Sequence, residues 1–512
     1  MKPVFATERH SLERIVGRPL PSFLFTSRNR VIFDGQTLFT LSTRAGDEPR
    51  VATDRMARLD GYQSQPLRDP SPLPEATPSW EKRAGDWFTI YDEEHARAKW
   101  EQCLQANRDT LRTLVDEATS FIRRQASRFK GRRKVVSFSG GKDSSVTADL
   151  VAKALGPMPL LFGDTTIEFP ETIEYVQRFA ARYGAELFQE KPDADFRSLC
   201  DVLGPPSRLM RWCCTVCKSR PINRYYERLS TDALSFDGIR RMESVRRAAY
   251  PRVVQLQKLS RQVAARPILH WSSFAVWLYI FSEGIEYNPL YEYGYSRVGC
   301  VHCPSNTPFN EHLTRTNFPE LYEPWVRYLV QYAARSGKAD PESYVRSGHW
   351  KSRNIKKHRS VVVEPDQPCG STENVVYTFD SPITAELVQF LKPFGALSPL
   401  ACPGAEGFAI GRGNPLLITG TVGQDQLVVA LERKGSRLLR MQIEKQIEKY
   451  LNCVHCGGCA GVCTRGAIEI RDGQYHIDDD RCTRCGRCVT TNYLKQGCVA
   501  LNFGSSKKSV RR

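Results

Sequence analysis

No stretch of about 18 or more apolar residues occurs in this 512-residue sequence, so no segment has the length and apolarity of a membrane-spanning helix. The opening segment, MKPVFATERHSLERIVG, carries charges throughout and lacks the apolar centre of a secretory signal. The expectation is a cytoplasmic chain with no membrane partner. Nicotinamide and flavin fingerprints are missing too, so any redox chemistry would draw on an external low-potential electron donor. The glycine-rich turn SGGKDSS at 139–145 is neither GxxxxGK[ST] nor GxGxxG, which excludes the two commonest phosphate-loop patterns there.

What is present is basic and cysteine-rich. Formal net charge is +17, with clusters at 123–134, 239–252 and 351–359 and in the tail KKSVRR. Such a balance suits a polyanion partner such as tRNA or DNA, or steering of a phosphate-rich nucleotide. Of the 17 cysteines, five fall between Cys213 and Cys303 and eight between Cys453 and Cys498. Short Cys-x2-Cys spacing in an intracellular chain points to metal or redox chemistry rather than to disulfides.

The length suggests about three or four domains. Residues 1–95 read as a small N-terminal domain of β-rich character, with the proline-rich linker 69–80 near its end. From 96 to 360 the pattern is helical and then βα-alternating. Strands are expected at KVVSF, PLLFGD, AELFQE and ALSFDG, with amphipathic helices between them. Apolar strands alternating with helices predict an α/β fold with a parallel sheet covered on both faces, whose ligands bind beyond the carboxyl ends of the strands. SGGKDSS, GDTT and DGIRRMES all fall at those ends. Residues 374–445 read as a further small domain of unknown role, and 446–504 as a compact cysteine module.

In the turn, Gly140 and Gly141 let backbone amides approach a phosphate, and the following helix offers its positive end. Ser139, Ser144 and Ser145 can donate to phosphate oxygens, and Lys142 supplies a mobile charge. Asp143 suits a polyphosphate-bound Mg²⁺, with Asp164 of GDTT as its companion.

SFSGGKDSS resembles the PP-loop of the adenine nucleotide alpha-hydrolase superfamily. GDTTIEFPET (163–172), GIRRMESVRR (238–247) and the run PILHW through GYSRVGCVHC are similar, in the same order, to segments of phosphoadenosine phosphosulfate (PAPS) reductases. The resemblance covers about 130–310 and implies an adenine nucleotide ligand, ATP or a sulfonucleotide. It implies that Arg240, Arg246 and Arg247, with Glu243 and Ser244, sit at its phosphate or sulfate; planar guanidinium forks suit such oxyanions.

The cysteine sets resemble two iron–sulfur patterns. RWCCTVC and VGCVHC are similar to the paired cysteines of adenosine phosphosulfate (APS) reductases, which implies one [4Fe–4S] cluster on Cys213, Cys214, Cys300 and Cys303. Cys217 has no counterpart there; it could be a spare thiol, an alternative ligand or the sulfur-handling nucleophile. The run CVHCGGCAGVC resembles bacterial 2[4Fe–4S] ferredoxins, which implies crossed ligation by Cys453, Cys456, Cys459 and Cys498 and by Cys463, Cys482, Cys485 and Cys488. Thr464 stands where that pattern has proline, and nine residues separate Cys488 from Cys498 where it has three. AIEIRDGQYHI between the runs reads as a hairpin.

Three functions compete at this level. The leading expectation is ATP cleavage between the α and β phosphates, with Lys142, Asp143, Asp164, Cys217 and Arg240 in the reaction, to activate a substrate such as tRNA or DNA for iron–sulfur-dependent sulfur transfer. The second is ferredoxin-coupled reduction of APS or PAPS to sulfite. Against it, no ECG segment of the kind that carries the reductases' cysteine occurs in the sequence. The third is an iron–sulfur redox sensor that binds nucleic acid.

Overall fold

The computed structural model describes residues 1–21, 23–54, 94–208, 210–255, 261–352, 361–365, 372–402, 405–411, 416–432, 436–490 and 498. The expected linker at 69–80 and the basic tail lie outside them, as does most of the basic segment 351–359. No helix among the described residues is long and apolar enough to cross a membrane.

The chain forms two compact units. The first comprises Met1–Lys191, Leu229–Leu256 and Gln262–Lys351. It opens with β1 (Lys2–Pro3), β2 (Phe25–Ser27), β3 (Arg30–Phe33), β4 (Gln36–Ser42) and β5 (Arg50–Asp54), paired antiparallel in that order. Helices Glu94–Ala106 and Arg108–Arg128 follow, as the spacing of their apolar residues predicts.

The main sheet contains β6 (Arg133–Ser137), β7 (Leu160–Gly163), β8 (Leu187–Glu190), β9 (Ala233–Asp237), β10 (Val253–Gln255) and β11 (Gln262–Ala265), in the order β10-β11-β9-β6-β7-β8. All neighbours are parallel except the edge pair β10–β11. Val135, Val136, Leu160, Leu161, Leu234 and Phe236 are buried, because helices cover both faces of the sheet. Each such side chain contributes about 1.5–3 kcal/mol through removal from water. The chain runs from β6 outward through β7 to β8, then returns to place β9 on the other side of β6. The switch point of the sheet therefore lies between β6 and β9, where a crevice opens beyond the strand ends.

The helices end for local reasons. Lys142–Leu155 begins after extended Gly141 and stops at Gly156, whose φ of 85° leaves the helical region. Pro170–Arg182 starts with proline at its first turn, where the missing N–H has no intrahelical partner to lose. One buried acid ties these elements to helix Ser273–Glu283. Asp149 accepts hydrogen bonds from Tyr183 Oη at 2.8 Å and Tyr279 Oη at 2.6 Å, and pairs with Lys153 Nζ at 3.1 Å.

The second unit comprises Pro192–Arg228, Gln257–Arg261 and Ser352–Arg512. Its sheet holds β12 (Val361–Pro365), β13 (Thr372–Phe379), β14 (Ala396–Cys402), β15 (Ala405–Gly411), β16 (Leu416–Thr421) and β17 (Gln426–Glu432), antiparallel in the order β12-β13-β17-β16-β15-β14. Helices Ala385–Leu391 and Ser436–Leu451 pack into its core. The cysteine-rich end contains one hairpin, β18 (Ile468–Arg471) with β19 (Gln474–Ile477), and a short helix Arg487–Thr490. The expected ferredoxin-like iron–sulfur domain is not supported. The hairpin forms, but among the described residues no three His, Cys, Asp or Glu side chains come together as a metal site.

Removing the Asp149 carboxylate would leave Lys153 and two tyrosine hydroxyls without their shared acceptor. Asp149→Ala is expected to cost about 3–5 kcal/mol, read as a lower denaturation midpoint in urea. Glu174→Ala, which removes the exposed i,i+4 partner of Arg178, is expected to cost under about 0.5 kcal/mol.

Candidate active site

The loop after β6 makes its turn at Gly140, with φ of 70°. A Cβ at this position would stand 3.0 Å from side-chain carbons of Thr172 and Val176, so glycine fits both the backbone angle and the space. Ser144 Oγ donates to Gly141 O at 2.7 Å and accepts from the Ser139 amide at 3.2 Å, closing the loop on itself. Ser145 behaves differently from its neighbours. Its hydroxyl is fully buried, 2.6 Å from Tyr175 Oη and 3.2 Å from Gly141 O, so it faces the core. Ser139 is exposed at the mouth of the turn.

The centre of the site is Asp143. Its carboxylate is 2.7 Å from Lys142 Nζ and 2.6 Å from Arg240 Nε, with Arg240 Nη2 at 3.4 Å from the second oxygen. Both cations are buried, at 5 % exposure each. Burial pushes the Asp143 carboxyl up, but Lys142 and Arg240 together outweigh it and hold it below its ordinary value. Lys142 is shifted downward: burial is the main cause, Asp143 offsets part of it, and Arg240 and Arg297 add repulsion. A bound anion would act against that shift.

Arg240 arrives from the loop after β9. Gly238, at the start of this loop, packs directly on the PP-loop. A Cβ there would lie 2.6 Å from Asp143 O and 2.8 Å from Ser144 N. Glu243 accepts from the Arg240 amide at 3.2 Å and pairs with Arg247, while Ser244 Oγ accepts from the Arg247 amide at 3.2 Å. Arg246 lies on the short helix Val245–Ala248. Asp164, after β7, accepts from the Thr166 amide at 2.8 Å and Gln189 Nε2 at 2.7 Å, and pairs with Lys191 at 3.3 Å. Next to it, Thr165 Oγ1 donates to Glu168 Oε1 at 2.8 Å and is 3.5 Å from Cys300 Sγ, itself 3.6 Å from the same Glu168 oxygen.

Two contributors carry no mark in the turn itself. Tyr291 Oη accepts from the Lys142 amide at 3.0 Å. Arg297 adds positive charge that acts on Lys142, Arg247 and Tyr291. Both lie in the NPLY and GYSR stretches. The signal available there is the resemblance of the whole run to the reductases' segment, which singles out neither residue from Asn288, Glu292 and the neighbouring tyrosines.

The metal expectations are corrected. The residues expected to hold Mg²⁺, Asp143 and Asp164, already have their carboxylates engaged by Lys142 and Arg240 and by Gln189, Lys191 and the Thr166 amide. Three [4Fe–4S] clusters are not supported, since no group of three ligating side chains forms among the described residues. Cys213 and Cys214 belong to the second unit, whereas Cys300 and Cys303 belong to the first. In the second unit burial raises the thiols of Cys453 and Cys459, and pushes Cys456 and Cys488 up to about 11. Cys463, Cys482, Cys485 and Cys498 form no disulfide among the described residues. Cys217 sits fully buried in the π-helical turn Cys214–Ser219, its thiol pushed up to about 12 by burial and by Cys214 and Cys456. A neutral thiol of this kind is a weak nucleophile.

Two outcomes follow from this geometry. Gly238→Ala would force backbone apart at Asp143 and is expected to weaken nucleotide binding at least about tenfold in calorimetric titration. For the Asp143 carboxyl, a depressed native pKa means stabilisation that is complete above its unfolded value and lost as pH falls through the native one. Asp143→Asn is therefore expected to lower stability at neutral pH and to flatten its acid-limb dependence below about pH 4, measured by urea unfolding across pH.

Residues 133–306 match the phosphoadenosine phosphosulfate reductase domain family. The chain is 30% identical over 178 residues to adenosine 5'-phosphosulfate reductase 1 of Bacillus subtilis, spanning 34% of this chain and 75% of that protein. It is likewise 30% identical over 200 residues to the adenosine 5'-phosphosulfate reductase of Shouchella clausii, covering 38% of this chain and 78% of that protein. Two uncharacterized proteins of Methanocaldococcus jannaschii are 34% and 31% identical, and the chain spans 55% and 66% of their lengths, less than two thirds of either. A phosphoadenylyl-sulfate reductase from Candida auris, solved with phosphate, aligns at 24% identity with a TM-score of 0.31, over 38% of this chain and 94% of that one. The family match stops well before the cysteine-rich end, so it lends no support to a fused ferredoxin domain. Through its PP-loop core, this chain belongs to the phosphoadenosine phosphosulfate reductase family.

Proposed function

We propose that the chain binds an adenylyl sulfonucleotide, APS or PAPS, and cleaves it reductively to sulfite. The observation that carries this reading is the charge arrangement at the switch point. Lys142, Arg240, Arg247 and Arg297 stand there against the carboxylates of Asp143 and Glu243, which leaves positive charge for a phosphosulfate. The similarity to APS reductases points the same way. The expected order of the two chemistries is thereby reversed, with the sulfonucleotide ahead of ATP cleavage.

Glycine-loop amides and the end of helix Lys142–Leu155 would hold the phosphate, and the guanidinium groups the sulfate. A thiol sulfur then attacks the sulfate sulfur, and the S–O bond breaks with the nucleotide phosphate as leaving group. An external thiol attacks the resulting S-sulfocysteine, releasing sulfite and leaving a disulfide, which a second thiol reduces. Two electrons pass in total. Cys300 is the thiol assigned here; its contacts with Thr165 and Glu168 put it at the end of β7, on the ligand side of the sheet.

Incubation with APS, PAPS or ATP in the presence of dithiothreitol tests the reading. Sulfite with AMP or 3'-phosphoadenosine 5'-phosphate is expected, and no pyrophosphate from ATP. Pyrophosphate from ATP without sulfite from either sulfonucleotide would overturn it. Cys300→Ser is expected to lower the sulfite rate about a thousandfold or more; an unchanged rate would move the thiol elsewhere.

A further inference from the structure

A lysine of the N-terminal sheet lies next to the nucleotide site. Lys2 is 4 % exposed and its ion-pair partner Glu8 only 2 %. Burying two such charges costs several kcal/mol per ion unless each is paired and hydrogen-bonded. The Lys2 ammonium has three protons to place. Its acceptors are Pro3 O at 3.0 Å, the Glu8 carboxylate, and Tyr291 O at 3.3 Å. The third of these belongs to the residue whose hydroxyl accepts from the Lys142 amide.

The surrounding contacts fix the same segment. Phe5 packs on Trp277 and Tyr287, at 5.5 and 5.4 Å between ring centroids, and Trp277 packs edge-on to Tyr291 at 5.1 Å. Gly294, with φ of 105°, passes so close that a Cβ would be 3.2 Å from Glu8 Cγ. Apolar packing alone would hold the two segments together. It does not account for a buried ammonium that also repels Lys142. A charge kept at such cost beside an anion site gains a role once the anion binds.

Resting on the sulfonucleotide reading above, we propose that Lys2 is a positioning residue of the nucleotide site. Held by Glu8, it fixes Tyr291 and through it the first amide of the phosphate loop, and its charge supports the phosphate end of the ligand. The N-terminal sheet is then part of the binding machinery.

Calorimetric titration of the full chain with APS, AMP and adenosine tests this. Lys2→Met is expected to weaken APS and AMP about 3- to 30-fold, to leave adenosine affinity unchanged, and to raise KM more than it lowers kcat. Lys2→Arg is expected to recover most of the loss. Equal weakening of all three ligands would reduce Lys2 to a structural role and overturn the proposal. So would undiminished APS binding by Lys2→Met. If the unaltered chain binds neither APS nor AMP, the sulfonucleotide reading itself fails. Should Lys2→Met not fold, Tyr291→Phe, which removes only the oxygen that receives the Lys142 amide, is expected to show the same phosphate-selective loss; full affinity there overturns the relay.

Discussion

One carboxylate organises the catalytic end of the first unit. Asp143 is shared by a lysine from its own loop and an arginine from the loop after β9, both buried. Alone at that depth the lysine would be driven toward its neutral form by desolvation, and the arginine would be costly to bury. With the acid between them, two positive charges share one negative, and the group keeps a net positive charge. The loops that meet there come from the two strands flanking the switch point, so the ion triad and the topology reinforce each other.

Much of this core is legible in local pattern. KVVSF, PLLFGD and ALSFDG are apolar because both faces of those strands are buried, and a short apolar run set between amphipathic helices marks a covered parallel strand. Strand β11 carries no such mark. It reads Gln-Val-Ala-Ala, with small side chains and a buried Gln262, and has no hydrophobic run to recognise. Within the site, the glycines and Lys142–Asp143 are visible because their chemistry is concentrated in one turn. Tyr291, Arg297 and Lys2 act across long sequence separations, and no spacing rule reports such contacts.

The cysteines mark where spacing stops being informative. Cys-x2-Cys spacing states which donor atoms are available, but a metal centre also requires several donors to converge in space. In the described structure they do not converge, and several are buried as neutral thiols. Ser145 shows the same principle on a smaller scale: its place in the motif suggests a ligand contact, yet its hydroxyl is turned toward Tyr175.

The contact between Gly238 and the Asp143–Ser144 backbone has a kinetic side. With no room for even one carbon between them, the two loops form a single rigid block carried on β6 and β9. Exposed Arg297 is of a different kind, since the rotamers of exposed side chains change in picoseconds to nanoseconds rather than in the microseconds of loop opening. The floor of the site is thus set by backbone packing, while an exposed charge, Arg297, sits on a side chain that can rotate.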